Sequence, residues 1–381
     1  MIHEILCVVS EAGDAEELWR QAVAFGAPLI SPVDEDGMVE VTFLWRGEAT
    51  TTMVARGLQL PLRRVPGTDL WRGSMRLPAD ERTLYTLAHD GADHSPRDAS
   101  GTGAAHVDPL NRHPFHFPAD PADPTDYDSW ASLLELPRAR KETWGAPPAV
   151  VEATLPGGRR VAVYRPPGER PAGGFATLVV FDGWLARQVL RIPQTLDGLI
   201  AAGRIPPLLA LFVPGRDADR DADLAPSSTA TTDFVARELV PWARREWGAG
   251  TDPRRTVVAG VSLGGLAAAN IALQAPDVFG GVIAQSGSFW WPRPEEGEPG
   301  WLIREYAARP RADLRFYLDV GDQEMIRVFD VGPTQLEVNR RMRDVLQAKG
   351  YPVTYAEYRG GHDYVNWRST FADGLLAVLG S

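Results

Sequence analysis

Cysteine is almost absent from the chain. Cys7 is the only one among 381 residues, so no disulfide can form within it. Lysine is nearly as scarce, with Lys141 and Lys349 alone. Cationic work therefore falls to arginine, whose planar fork grips anionic oxygens better than an ammonium does. Long apolar runs are also missing. Stretches such as Pro206 to Val213 fall far short of the ~18 residues that a membrane-spanning helix needs. The opening Met1-Ile2-His3-Glu4 has neither the basic start nor the apolar core of a secretory signal. Positive charge is in deficit, with a formal net charge of −11, which counts against a general binder of nucleic acid or anionic membrane. These features predict a cytoplasmic protein with no nucleic-acid or membrane partner. What is present is ordinary globular material, 44% hydrophobic and 23% charged, in a length that suggests two or three domains.

Two grammars divide the chain. In the front part, Leu18, Ala22 and Phe25 recur at helical spacing over Ala15 to Phe25, and Gly26 supplies a stop. Alternation of period two then sets in, with Val39, Val41, Phe43 and Trp45 on one face of a strand. Further short strands are expected over Thr51–Ala55, Trp71–Leu77 and Arg82–His89, a pattern that reads as an immunoglobulin-like β-sandwich. From Gly91 to about Asp128 the text is rich in Pro, Asp, Gly and His without periodicity, and predicts a long loop or linker. Downstream, apolar strands expected at Val161–Tyr164, Thr177–Asp182, Leu208–Val213, Thr256–Gly260, Gly281–Ala284, Leu314–Asp319 and Val353–Tyr358 alternate with helices. The helices are placed at Thr195–Ala202, Asp233–Trp247, Leu263–Gln274, Pro333–Lys349 and Thr370–Leu379. Such alternation implies a mostly parallel sheet covered on both faces. The expected division is a β-sandwich with trailing loop over 1–135 and an α/β domain over 136–381.

Gly260-Val261-Ser262-Leu263-Gly264 carries the most chemical information. Gly-x-Ser-x-Gly alone is a weak signal, but here an apolar strand leads into it and an alanine-rich helix follows. That context is the nucleophile elbow of an α/β-hydrolase, which presents a serine hydroxyl on a strained turn. Ser262 is the expected nucleophile, and the Leu263 amide at the helix start an expected oxyanion donor. A hydroxyl needs a base. Six of the seven histidines lie at or before His116, which leaves His362, in Gly360-Gly361-His362-Asp363, as the base expected from the Ser…acid…His order. The triad acid belongs on the loop after the strand Leu314–Asp319, where Asp319, Asp322 and Glu324 all qualify on position. A strand position would tie up Asp319, whereas the other two follow Gly321, where the chain can turn. Glu324 is placed first and Asp322 second. The second oxyanion donor is expected from Gly183 or Trp184, after the early strand ending in Phe181-Asp182.

Other clusters promise less. His89, His94, His106, His113 and His116 match no common metal-ligand spacing and read as solvated loop histidines, so no metal site is expected. The run Arg216 to Asp223 lacks the central glycine and terminal glutamate of a calcium loop, and reads as a rim loop beside the site.

Blocks along nearly the whole chain resemble one family. They include Val41-Thr42-Phe43-Leu44-Trp45-Arg46-Gly47, Pro66-Gly67-Thr68-Asp69-Leu70-Trp71, Asp108-Pro109-Leu110-Asn111 and Glu238-Leu239-Val240-Pro241-Trp242. To these are added Gln285-Ser286-Gly287-Ser288-Phe289-Trp290-Trp291 and Gly360-Gly361-His362-Asp363. Together with the serine elbow they are similar to the enterochelin (enterobactin) esterases, which hydrolyse catecholate siderophores. The resemblance implies a β-sandwich ahead of an α/β-hydrolase domain, Ser262 as nucleophile and His362 as base. The family's Gly-x-x-Glu falls on Gly321 and Glu324. One departure is Arg220-Asp221-Ala222-Asp223-Leu224, where the family carries Arg-x-x-Glu-Leu. The implied substrate is a catecholate siderophore, ferric or apo, the ferric tris-catecholate being a large trianion with aromatic faces. Trp184, Trp290, Trp291 and Trp367 are then candidate walls, and Arg187, Arg220 and Arg368 candidate anion donors. No cofactor is expected, iron arriving only with the substrate. The alternatives are a carboxylesterase or feruloyl-type esterase on another aromatic ester, or an acyl transferase.

Overall fold

A computed structural model of the chain describes residues 11–92, 104–142, 145–215, 220–226, 229–293, 296–325 and 332–380. Two compact units emerge, one of Met1–Lys141 with Arg359–Val365, the other of Glu142–Tyr358 with Asn366–Ser381. The expected division at 135/136 differs from these units in two places. Residues 136–141 stay with the first unit because the Leu136 amide donates to Glu81 O and that of Arg138 to Ala79 O. Arg359–Val365 joins it because the buried Asp363 carboxylate accepts from the Thr83 hydroxyl and the Leu84 amide, each at 3.1 Å.

In the first unit the helix Glu11–Phe25 buries Ala15 and Ala22 with Leu44, Val65 and Leu70. The alternating residues Val39, Val41 and Phe43 are indeed inward on the strand Met38–Arg46, which pairs antiparallel with Leu70–Pro78. On the other side Thr52–Arg56, Arg82–His89, Ser129–Glu135 and Pro114–Phe117 pair in that order. The strand Leu60–Arg64 joins the two halves, pairing first with Thr52–Arg56 and then with Leu70–Pro78. One antiparallel sheet thus folds over a core that includes Phe43, Val54, Leu62, Tyr85 and Leu134, which makes the β-sandwich. The expected loop over 91–128 contains the strands Ala105–His106 and Pro114–Phe117, too short to display a period; its residues 93–103, with His94, lie outside the described residues.

Two of the supposedly solvated histidines are buried. His89 Nε2 lies 2.9 Å from His106 Nε2, His89 Nδ1 lies 3.1 Å from the Thr52 hydroxyl, and Trp45 stacks on His89. His113 and His116 are exposed as expected. Burial, with His106 alongside, pushes the His89 imidazole down from its usual 6.5 to about 4. The unfolded chain binds that proton first, so stability present above pH 6.5 is lost as the pH falls towards 4. His89→Gln is expected to remove part of this acid sensitivity. Thermal unfolding of both proteins at neutral and acid pH checks it, and an equal acid-induced fall in both would assign the effect to other groups.

The second unit is built on an eight-stranded sheet. Its order is Val150–Thr154, Arg160–Tyr164, Leu208–Phe212, Ala176–Val180, Thr256–Val261, Gly281–Gln285, Arg315–Gly321, Val353–Tyr358, with the last six parallel. Every residue of the four strands from Leu208–Phe212 to Gly281–Gln285 is buried, as near-continuous apolar runs demand. The fold is that of an α/β-hydrolase. The expected helix Asp233–Trp247 proves to be π-helical over Phe234–Leu239 and α-helical only over Val240–Glu246; Pro241 has no N–H to continue a regular ladder. The last helix begins at Tyr364 rather than Thr370. No described helix is long and apolar enough to cross a membrane.

Candidate active site

Ser262 stands between the strand Thr256–Val261 and the helix Leu263–Gln274, with φ 54° and ψ −121°. Such a conformation costs energy for a non-glycine residue and persists only where the surroundings impose it. Here the Ser262 amide donates to Gln285 O at 2.9 Å, and its carbonyl accepts from the amides of Gly265 and Ser288 at 3.0 Å. The tight approach of strand and helix excludes any side chain at Gly260, where a Cβ would lie 2.3 Å from the Gly264 carbonyl carbon. The Ser262 hydroxyl lies 3.3 Å from that of Ser288. Leu263 opens the helix, and among the described residues its amide makes no hydrogen bond.

Of the three acid candidates, Asp319 is inside the strand and fully buried, and accepts from Gln285, Tyr317 and Thr370. Burial, with the Glu324 charge adding to it, pushes its carboxyl up to about 7. All three bonds fall on Oδ2, and the carboxyl is enclosed within the sheet rather than presented on the loop that follows it. Asp322 follows the strand, its amide donating to Tyr358 O. Glu324 is buried at 5% exposure, and one of its oxygens accepts from the Ser286 hydroxyl at 2.6 Å, the Gly321 amide at 2.8 Å and the Tyr358 hydroxyl at 3.1 Å. Ser286 is itself oriented by the Trp367 indole N–H at 2.9 Å. The turn it belongs to is braced by Gln335, donating to Ser286 O and Gly287 O, and by Asn339, donating to Gly287 O. Sequence reasoning missed Ser286 and Tyr358; the position of Ser286 directly after a parallel strand was the signal available.

His362 is exposed, and the segment that carries it packs with the first unit. Its neighbour Asp363 is the anchor, accepting from Thr83, Leu84 and Val365. Ser262, Leu263, Trp184 and Glu324 belong to the second unit.

Several expected substrate contacts are occupied within the protein. The Gly183 amide donates to Val213 O at 2.8 Å, which removes it as an oxyanion donor and leaves Trp184. Arg220 is bidentate on Asp182, at 2.6 and 2.7 Å, and Arg368 is bidentate on Glu142, at 3.1 and 2.6 Å. Arg187 donates to Glu152 at 2.7 Å and lies over the Trp184 ring. Each of the three is charge-paired to a carboxylate, which reduces what its guanidinium offers an anionic substrate. Trp290 and Trp367 are buried in the protein rather than lining a surface. Trp184 and Trp291 stay partly exposed, Trp291 edge-on to Trp301. Among the described residues no cluster of three or more His, Cys, Asp or Glu is arranged to hold a metal ion.

The fold and the elbow define an ester hydrolase of the α/β-hydrolase class with a β-sandwich ahead of it. Comparison with known proteins narrows the class. The family model described as "Enterochelin esterase, N-terminal" matches residues 40–145, and the one described as "Putative esterase" matches residues 153–378. The chain is 32% identical to the iron(III) enterobactin esterase of Dickeya dadantii, over 97% of this chain and 94% of that protein. It is 28% identical to the iron(III) salmochelin esterase of Escherichia coli, over 96% and 93%. The enterobactin esterase of Shigella flexneri, crystallised in the presence of enterobactin, superposes with a TM-score of 0.74 at 25% identity, covering 95% of this chain and 97% of that one. The chain belongs to the enterochelin esterase family.

Proposed function

We propose that the protein is a cytoplasmic serine esterase that cleaves the ester bonds of a catecholate trilactone siderophore and so releases its iron. The observation that carries this reading is the match to an iron(III) enterobactin esterase along 97% of the chain. In this mechanism His362 takes the Ser262 proton as the hydroxyl oxygen attacks the ester carbonyl. The Leu263 and Trp184 amides receive the developing oxyanion. Collapse of the tetrahedral species breaks the ester C–O bond, and the departing alkoxide takes the proton from His362. Water, deprotonated by the same imidazole, then attacks the acyl carbonyl, and the acyl C–O bond to Ser262 breaks as the serine oxygen takes that proton back, releasing the acid. Glu324, held by Ser286, Gly321 and Tyr358, orients the imidazole. Iron enters as part of the substrate and no cofactor takes part.

Incubation with ferric enterobactin and ferric bacillibactin, followed by mass analysis, should give linear and monomeric acyl products. Turnover of feruloyl esters without any cleavage of trilactone would overturn the reading. Glu324→Gln is expected to lower kcat at least about tenfold, though less than loss of the nucleophile does. Asp322→Asn should stay close to the wild type in the same assay, and a reversed order of the two effects would transfer the acid role to Asp322.

A further inference from the structure

Arg56 ends the strand Thr52–Arg56 with φ 76°, a left-handed backbone that arginine rarely adopts. Gly57 follows it through a narrow passage: a Cβ there would lie 2.1 Å from the Thr83 hydroxyl and 2.7 Å from the Leu84 carbonyl oxygen. The same Gly57 abuts the histidine segment, its carbonyl oxygen 3.7 Å from where a Cβ on Gly361 would stand. The turn thus delivers the Arg56 side chain beside residues 361–364. Its guanidinium stands 4.9 Å from the Phe117 ring centroid, and Phe117 meets Tyr364 edge-on at 5.4 Å.

The residue is half-buried, yet among the described residues its guanidinium makes no hydrogen bond and no ion pair. Burial disfavours its charge, opposed by the charges of Asp363 and Tyr364. Asp363 already accepts from Thr83, Leu84 and Val365. A guanidinium has five donors, and those of Arg56 are not among the buried atoms left without a partner, so they are open to solvent and to the oxygens of a ligand. Arg187, Arg220 and Arg368 each have a carboxylate instead.

We propose that Arg56 is the specificity-determining cation of the front unit, receiving the paired oxygens of a catecholate while Phe117 and Tyr364 flank the aryl ring. Adjacent catecholate oxygens suit the planar fork, and the rings suit an aromatic acyl group. The inference rests on the reading of the protein as a catecholate ester hydrolase.

Equilibrium binding of a ferric tris-catecholate to the inactive Ser262→Ala protein, followed by tryptophan fluorescence, tests it. Adding Arg56→Gln should weaken Kd at least about tenfold, whereas Arg56→Lys, which keeps the charge but not the fork, should fall between. Raising the salt should weaken binding to the single variant more than to the double. With Ser262 intact, Arg56→Gln should raise KM several-fold more for an anionic catecholate ester than for a neutral aryl ester. Equal affinity with and without Arg56, or equal KM losses for charged and neutral esters, would overturn the assignment. If the Ser262→Ala protein does not bind the chelate and the wild type does not cleave the trilactone, the proposed function itself fails and takes this inference with it.

Discussion

Ser262→Ala is expected to abolish at least about 99.9% of ester turnover, a kcat loss of 10³-fold or more, with little change in thermal stability. The nucleophilic oxygen is the whole of what the substitution removes from the chemistry. Its cost to the fold is small, because the strained backbone at residue 262 is imposed by bonds from its amide and carbonyl, which alanine keeps. The hydroxyl approaches that of Ser288 at 3.3 Å, a contact that alanine gives up. Turnover of a trilactone and of p-nitrophenyl acetate, together with labelling by a fluorophosphonate, measures the effect. A variant retaining more than a tenth of the wild-type rate, with trace contamination excluded, would dismiss Ser262 as nucleophile.

His362→Ala should lose activity to a similar degree, at least about 10³-fold, because base and nucleophile act as a unit. The double variant should therefore be scarcely worse than either single one, and that non-additivity is the sharper measurement. Multiplicative losses would mean that the two residues serve separate steps.

Much of the architecture was legible in the residues. Parallel strands buried on both faces read as apolar runs, and the strand Thr256–Val261 running into an alanine-rich helix announced the elbow before any coordinates did. The end of the strand Arg315–Gly321 was legible too, since Gly321 closes it and Asp319 lies before it. What stayed hidden was tertiary pairing. Arg368 and Glu142 are 226 positions apart, and Arg220 and Asp182 are 38 apart, so nothing local showed that these cations were already neutralised. The buried histidine pair was hidden for the same reason, because Ala105–His106 is only two residues long and its burial is set by the strand it joins.

The bond from Thr83 to Asp363 closes a loop of 280 residues. During synthesis the strands of the first unit are made long before Arg359–Val365, which follows the last strand of the second unit along the chain. Closing so long a loop costs only a little more entropy than closing a short one, but it is slow, and its contacts bring no reward until both ends exist. The front unit is therefore an open book until Arg359–Val365 has been made, with Asp363 as the clasp. A newly made chain would dock its histidine-bearing segment only then, so ordering of His362 would coincide with completion of the first unit.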